Sequence, residues 1–140
     1  MSSIKRIAVI GGGVSGLLCC YALATKGFEI ILVDDVDFRD ITTNDRRSIV
    51  LSEASKVILT GIGLWQKIEL FSIPIKEVWV SEKRSFGRIK FNANDVGLEA
   101  LGWSICAQDL LMIISKAVLQ KSNVVLKMKK SFEDFRINEK

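Results

Sequence analysis

Short apolar runs separated by polar punctuation set the plan of this chain. After Lys5 and Arg6 comes Ile7-Ala8-Val9-Ile10, which predicts a short buried parallel strand. A glycine-rich turn follows, then an apolar helical run to Ala24, a break at Gly27, and a second apolar run, Ile30-Ile31-Leu32-Val33, closed by Asp34. Residues 4–34 therefore read as one β-α-β unit. Asp35 to Asp45 is a polar loop. Arg47 to Leu51 reads as a short strand, and Ser52 starts a helix that runs to about Leu59 and stops near Gly61-Ile62-Gly63. A second short helix covers Leu64 to Leu70, and Pro74 ends that region.

Further on, the alternation of Ile75 to Val80 and of Arg88 to Phe91, around a turn at Ser85-Phe86-Gly87, predicts an antiparallel hairpin. Trp103 to Ala107 is a short apolar stretch. Asp109 to Leu119 is an amphipathic helix with Leu110, Ile113, Ile114 and Ala117 on one face. Asn123 to Met128 is a third parallel-type strand, and Phe132 to Ile137 reads as the start of one more. A long insertion, about 35–122, thus separates the second parallel strand from the third, at about 123–128.

The turn after the first strand, Gly11-Gly12-Gly13-Val14-Ser15-Gly16, has the G-x-G-x-x-G spacing of a dinucleotide site. Gly11 permits a tight turn. Gly13, without a Cβ, lets a pyrophosphate approach the backbone, and Gly16 lets the helix pack closely on the strands. The first helical N–H groups, at Val14, Ser15 and Gly16, have no intrahelical acceptor and favour a phosphate. A carboxylate at Asp34 can accept from ribose hydroxyls and disfavours a 2′-phosphate, so FAD or NAD suits the site better than NADP. A simple dinucleotide fold reaches its third strand after one short crossover. The insertion here, with its own helices and hairpin, favours a flavoprotein over an ordinary dehydrogenase.

Composition narrows the choice. The chain has 140 residues, 49% hydrophobic, enough for one core. There is no histidine, which removes the usual metal ligand and general base and excludes a serine triad. No spacing suits a metal. Cys19, Cys20 and Cys106 read as small core residues in a reducing compartment. The net charge of +4 includes a cluster at Lys127, Lys129 and Lys130, which reads as a solvated strand edge and is too small for a nucleic-acid surface. It leaves contact with an anionic membrane surface open. The uncharged run Ile7 to Ala24 behind Lys5-Arg6 also imitates a signal peptide, but the nucleotide pattern continues past it to Asp34.

The chain resembles the ubiquinone-biosynthesis FAD-dependent hydroxylases, within the aromatic-ring flavoprotein monooxygenases. The resemblance rests on Gly11 to Leu17 with Asp34, on Asp45-Arg46-Arg47-Ser48-Ile49-Val50-Leu51, and on Gly63-Leu64-Trp65. It continues through Ile73-Pro74-Ile75-Lys76, Val80-Ser81, Phe86-Gly87 and Leu98 to Gly102, and is strongest toward the 2-polyprenyl-6-methoxyphenol hydroxylases. It implies an α/β fold: a Rossmann-like FAD-binding fold with a parallel sheet plus part of an inserted antiparallel hairpin, incomplete relative to the family. It implies that Asp34 holds the adenosine ribose, where the family more often has Glu, and that Arg47 lies beside the flavin and its pyrophosphate. Gln108 stands at a second phosphate-contact position, where the family often has Arg.

The activity implied is hydroxylation of a polyprenylated phenol, with FAD as cofactor, NAD(P)H as reductant and O2 as co-substrate. No residue is assigned as catalytic. The family's second nucleotide motif, its Gly-Asp flavin-ribityl motif and most of its substrate sheet have no counterpart here, so the chain reads as the N-terminal part of such an enzyme. The alternative is a catalytically inactive fragment with weak or no nucleotide binding, or one completed by the missing C-terminal part in trans. The expected place is the cytoplasm or the inner-membrane periphery.

Overall fold

The computed structural model describes residues 5–37, 45–83 and 87–129. The chain divides into two compact units, Met1–Asn44 with Leu111–Lys140, and Asp45–Leu110.

The first unit is built on a parallel sheet of β1 (Arg6–Ile10), β2 (Glu29–Asp34) and β8 (Val124–Met128), with β2 in the centre. Ala8 lies opposite Ile31, and Ile31 opposite Val125. Helix α1 (Val14–Thr25) connects β1 to β2 and approaches the face that carries Val9. It ends in a Schellman turn: Phe28 N–H donates to Leu23 O at 3.3 Å and Gly27 N–H to Ala24 O at 3.0 Å, with Gly27 at φ +87°. Asn123 locks this turn to β8, since its Nδ2 donates to Ala24 O at 2.9 Å and to Phe28 O at 2.7 Å. On β2, Ile30 and Leu32 are fully buried.

The prediction of a buried first strand is corrected. Arg6, Ala8 and Ile10 are exposed and only Ile7 and Val9 are half-buried. Among the described residues β1 pairs only with β2 and so lies at a sheet edge. Side chains alternate across the strand, and the face of Ala8 and Ile10 is the one turned away from α1. Val125, on the same face, is 51% exposed.

The second unit holds an antiparallel sheet in the order β3 (Ser48–Leu51), β7 (Gly102–Cys106), β4 (Ile73–Ile75). The short helical region ends before Pro74 as expected, and Pro74 itself takes a strand position, paired with Trp103. Proline is tolerated there because β4 is an edge strand, where a missing N–H costs no ladder bond. Helix α2 (Glu53–Gly61) is capped by Ser52, whose Oγ accepts from Ser55 N–H at 3.2 Å, and α3 (Trp65–Glu69) follows. Leu59, Leu64, Trp65, Ile68 and Trp103 are buried. Trp65 and Trp103 meet edge to face at 5.2 Å, and Lys56 Nζ lies 4.3 Å from the Trp103 ring centroid while pairing with Glu99 at 2.8 Å.

The hairpin forms from β5 (Glu77–Ser81) and β6 (Arg88–Asn92), with Val78 opposite Phe91 and Val80 opposite Ile89. Its expected turn at residues 85–87 falls largely outside the described residues, as do most of the 35–45 loop, Lys130 and the strand expected at 132–137. Helix α4 (Ala107–Leu119) begins in the second unit and runs on into the first, with Leu110, Ile113, Ile114, Ala117 and Val118 buried.

The cysteines do not all enter a core. Cys20 is fully buried, Cys106 half-buried and Cys19 exposed. Successive helical residues differ by a hundred degrees of rotation, about 3.6 to the turn, so neighbours 19 and 20 face different ways. Burial, with the Cys19 charge beside it, pushes the Cys20 thiol up to about 11.

Candidate functional site

The glycine loop leaves β1 and enters α1 within three residues. Gly11 adopts φ +96° while its N–H still extends the sheet by donating to Val33 O at 2.9 Å. A Cβ added at Gly16 would lie 1.8 Å from Gly11 O, so only glycine lets the helix reach this close to the turn. A Cβ at Gly13 would meet nothing within 4 Å, which leaves the backbone there open to a ligand. The helical ladder begins with Leu17 N–H donating to Gly13 O at 2.9 Å, so the N–H groups of Val14, Ser15 and Gly16 precede its first bond.

Asp34, at the end of β2, is tied to this loop. The N–H of Gly12 donates to its Oδ2, and the N–H of Val36 to its Oδ1 at 2.7 Å. Partial burial pushes the carboxyl upward, but these two N–H groups and a hydrogen bond with the Asp35 side chain outweigh it and hold Asp34 below the usual carboxylate range. A carboxylate offers about four lone-pair positions, so capacity remains for a sugar hydroxyl beside these partners. Gly12 is a residue that the motif reading assigned no role. A Cβ there would sit 3.0 Å from Asp34 Oδ2, and its place in the middle of a run of three glycines was its signal.

The structure thus gathers Gly11, Gly13, Val14, Ser15, Gly16 and Asp34 in the first unit. Arg47 and Gln108 belong to the second unit. There Ala107 N–H donates to Arg47 O at 2.8 Å, so the Arg47 backbone lies beside the start of α4, whose next residue is the exposed Gln108. The Arg47 guanidinium is held by Asp45: Nε donates to Oδ1 at 2.8 Å and Nη2 to Oδ2 at 2.7 Å. This pairing brings the Asp45 carboxyl down to about 2. Asp45 stood in the sequence motif without an assigned task; its place two residues before Arg47 was the only hint.

Two further properties bound the chemistry. Among the described residues no three His, Cys, Asp or Glu side chains are grouped to hold a metal ion. Nor is any helix among them long and apolar enough to cross a membrane.

Comparison with known proteins agrees with this geometry. The family description "NAD(P)-binding Rossmann-like domain" matches residues 9–38, which run from β1 through the glycine loop and α1 to just past Asp34. Ubiquinone hydroxylase UbiM of Neisseria meningitidis is 28% identical over 131 residues, which are 89% of this chain and 28% of that protein. The 3-demethoxyubiquinol 3-hydroxylase of Escherichia coli is 27% identical over 106 residues, 71% of this chain and 26% of that protein. Among solved structures, the flavin-dependent monooxygenase PieE, in complex with FAD and substrate, superimposes with a TM-score of 0.69 at 16% identity over 90% of this chain and 24% of its own. Fold and loop together define a Rossmann-like α/β protein. Over most of its length the chain is similar to flavoprotein hydroxylases. It spans about a quarter of the length of the curated relatives it matches.

Proposed function

We propose that the chain is the FAD-binding N-terminal portion of a flavin-dependent monooxygenase that hydroxylates a polyprenylated phenol in ubiquinone biosynthesis. The observation that carries this is the pairing of an open Gly13, in front of the α1 N–H groups, with the Asp34 carboxylate bonded to Gly12. The donors suit a diphosphate and the acceptor suits a ribose diol. In this reading the N–H groups of Val14, Ser15 and Gly16 bind the diphosphate, Asp34 accepts from the adenosine ribose, and Arg47 and Gln108 meet the anionic part of the cofactor. When bound, the flavin supplies the redox chemistry, with NAD(P)H as reductant and O2 as oxidant; the protein supplies position and electrostatics.

The polyprenylated phenol is favoured by the two ubiquinone-related relatives. A tailed substrate fits work at the inner-membrane periphery. A second reading, an inactive fragment that binds nucleotide weakly or is completed by a C-terminal part in trans, is favoured by the exposed apolar side chains of Ile10, Val125, Val80 and Ile89. Titration of the chain with FAD, followed by flavin fluorescence, separates the two. Saturable binding that Gly13→Val abolishes supports the first, and absence of binding by the unaltered chain supports the second. Turnover is then assayed with a short-tailed 2-polyprenylphenol, and binding without turnover limits the function to holding the cofactor.

A further inference from the structure

We propose that Asp45 is a positioning residue, which fixes the Arg47 guanidinium so that its remaining edge is presented to a diphosphate. The inference rests on the reading above that Arg47 meets FAD. Residues 45–47 are pinned at both ends to the junction of β7 and α4: Cys106 Sγ donates to Asp45 O at 3.5 Å, and Ala107 N–H donates to Arg47 O at 2.8 Å. The side chains are then joined to each other by two parallel bonds, Nε to Oδ1 and Nη2 to Oδ2, and Arg47 N–H donates to Asp45 Oδ1 at 3.2 Å as well.

A guanidinium has five N–H donors in a rigid fork. Asp45 uses Nε and one hydrogen of Nη2, so the Nη1–Nη2 edge is the part outside this contact. That edge matches two oxygens of a phosphate. The Arg47 side chain is 84% exposed, so its stem gains little orientation from packing, and the carboxylate supplies it. A long flexible arginine loses rotamer freedom when it binds an anion. Asp45 imposes that loss before the ligand arrives, which is preorganisation. The opposite expectation is equally concrete. If Asp45 only neutralised Arg47, its removal would free the cation and tighten phosphate binding.

The test is a double-mutant cycle on the full chain, with dissociation constants for FAD, and for adenosine as a ligand without phosphate. Asp45→Asn is expected to weaken FAD binding about five- to tenfold and to leave adenosine binding unchanged. Asp45→Glu restores part of the loss. In an Arg47→Ala background Asp45→Asn has no further effect. The Arg47 Nε–H resonance, slow to exchange with solvent in the unaltered chain, exchanges fast in Asp45→Asn, a readout independent of cofactor. Tighter FAD binding by Asp45→Asn, an unchanged affinity, or an equal loss in the Arg47→Ala background would overturn the assignment while leaving the FAD reading standing. Failure of the unaltered chain to bind FAD removes both.

Discussion

The Cα of Gly16 sits so close to the turn before it that a methyl group there would lie 1.8 Å from the carbonyl oxygen of Gly11. Neither partner can yield cheaply. One is helix backbone, and the other is the turn whose N–H continues the parallel sheet at Val33. Gly16→Ala is therefore expected to destabilise the chain by about 3 kcal/mol, at the upper end for overpacking, read as a lowered urea midpoint. Gly13→Ala, with open space around the added methyl, is expected to keep the same urea midpoint to within about 1 kcal/mol, the ordinary scale of glycine–alanine propensity differences. Equal midpoints for the two variants would contradict the packing described for α1.

Asp34 gives a pH signature whose sign follows from its hydrogen bonds. Burial raises its carboxyl and the N–H groups of Gly12 and Val36 lower it by more, so the folded value lies below the unfolded one. Between those values the folded chain binds fewer protons than the unfolded chain. The stabilisation is present at neutral pH and is lost as pH falls below about 4, through the folded value. Asp34→Asn is expected to lower the thermal midpoint at pH 7 and to converge on the unaltered chain as pH falls through the folded value of Asp34. Asp45, Glu77 and Glu99 are also held low by their cationic partners, so the difference between the two chains, and not the midpoint of either alone, reports Asp34. A difference that stays constant with pH would refute the coupling.

Asn123 is a second place where one side chain serves two backbone groups. Replacing it by alanine leaves the carbonyls of Ala24 and Phe28 without its two donors. The expected cost is about 2 kcal/mol by chemical denaturation. Because Asn123 O also accepts from Ile30 N–H at 2.9 Å, the amides of β8 and of the start of β2 should exchange with deuterium faster in Asn123→Ala. Unchanged exchange there would mean that the Schellman turn holds β8 without the amide.

Much of this arrangement was legible in the residue pattern. The β-α-β unit announced itself because three glycines have separate tasks and two β-branched runs flank them. The inward face of α4 followed from helical spacing: Leu110, Ile113, Ile114 and Ala117 are buried as the periodicity required. What local pattern could not supply was neighbourhood. An apolar run such as Ile7 to Ile10 says that a strand forms, but not whether both its sides will be covered, and here one side is open. Pro74 forbids a donor, yet only the sheet order tells that β4 is at an edge and has none to lose. In the candidate site, the glycine spacing and Asp34 were visible, whereas the hydrogen bond between Gly12 and Asp34 and the fork between Arg47 and Asp45 depend on side-chain geometry that spacing alone leaves open.

Strand β2 finds one sheet neighbour early and the other late in synthesis. Its pairing with β1 closes over a single helix, while its pairing with β8 must wait until the whole 45–110 segment has been made. Loop-closure entropy rises only with the logarithm of loop length, and a segment already collapsed between the two strands shortens the distance to be searched. Nascent β1, α1 and β2 can assemble as the ribosome proceeds, and β8 docks on β2 after them. Perturbations in β8 should therefore speed unfolding while leaving the folding rate nearly untouched.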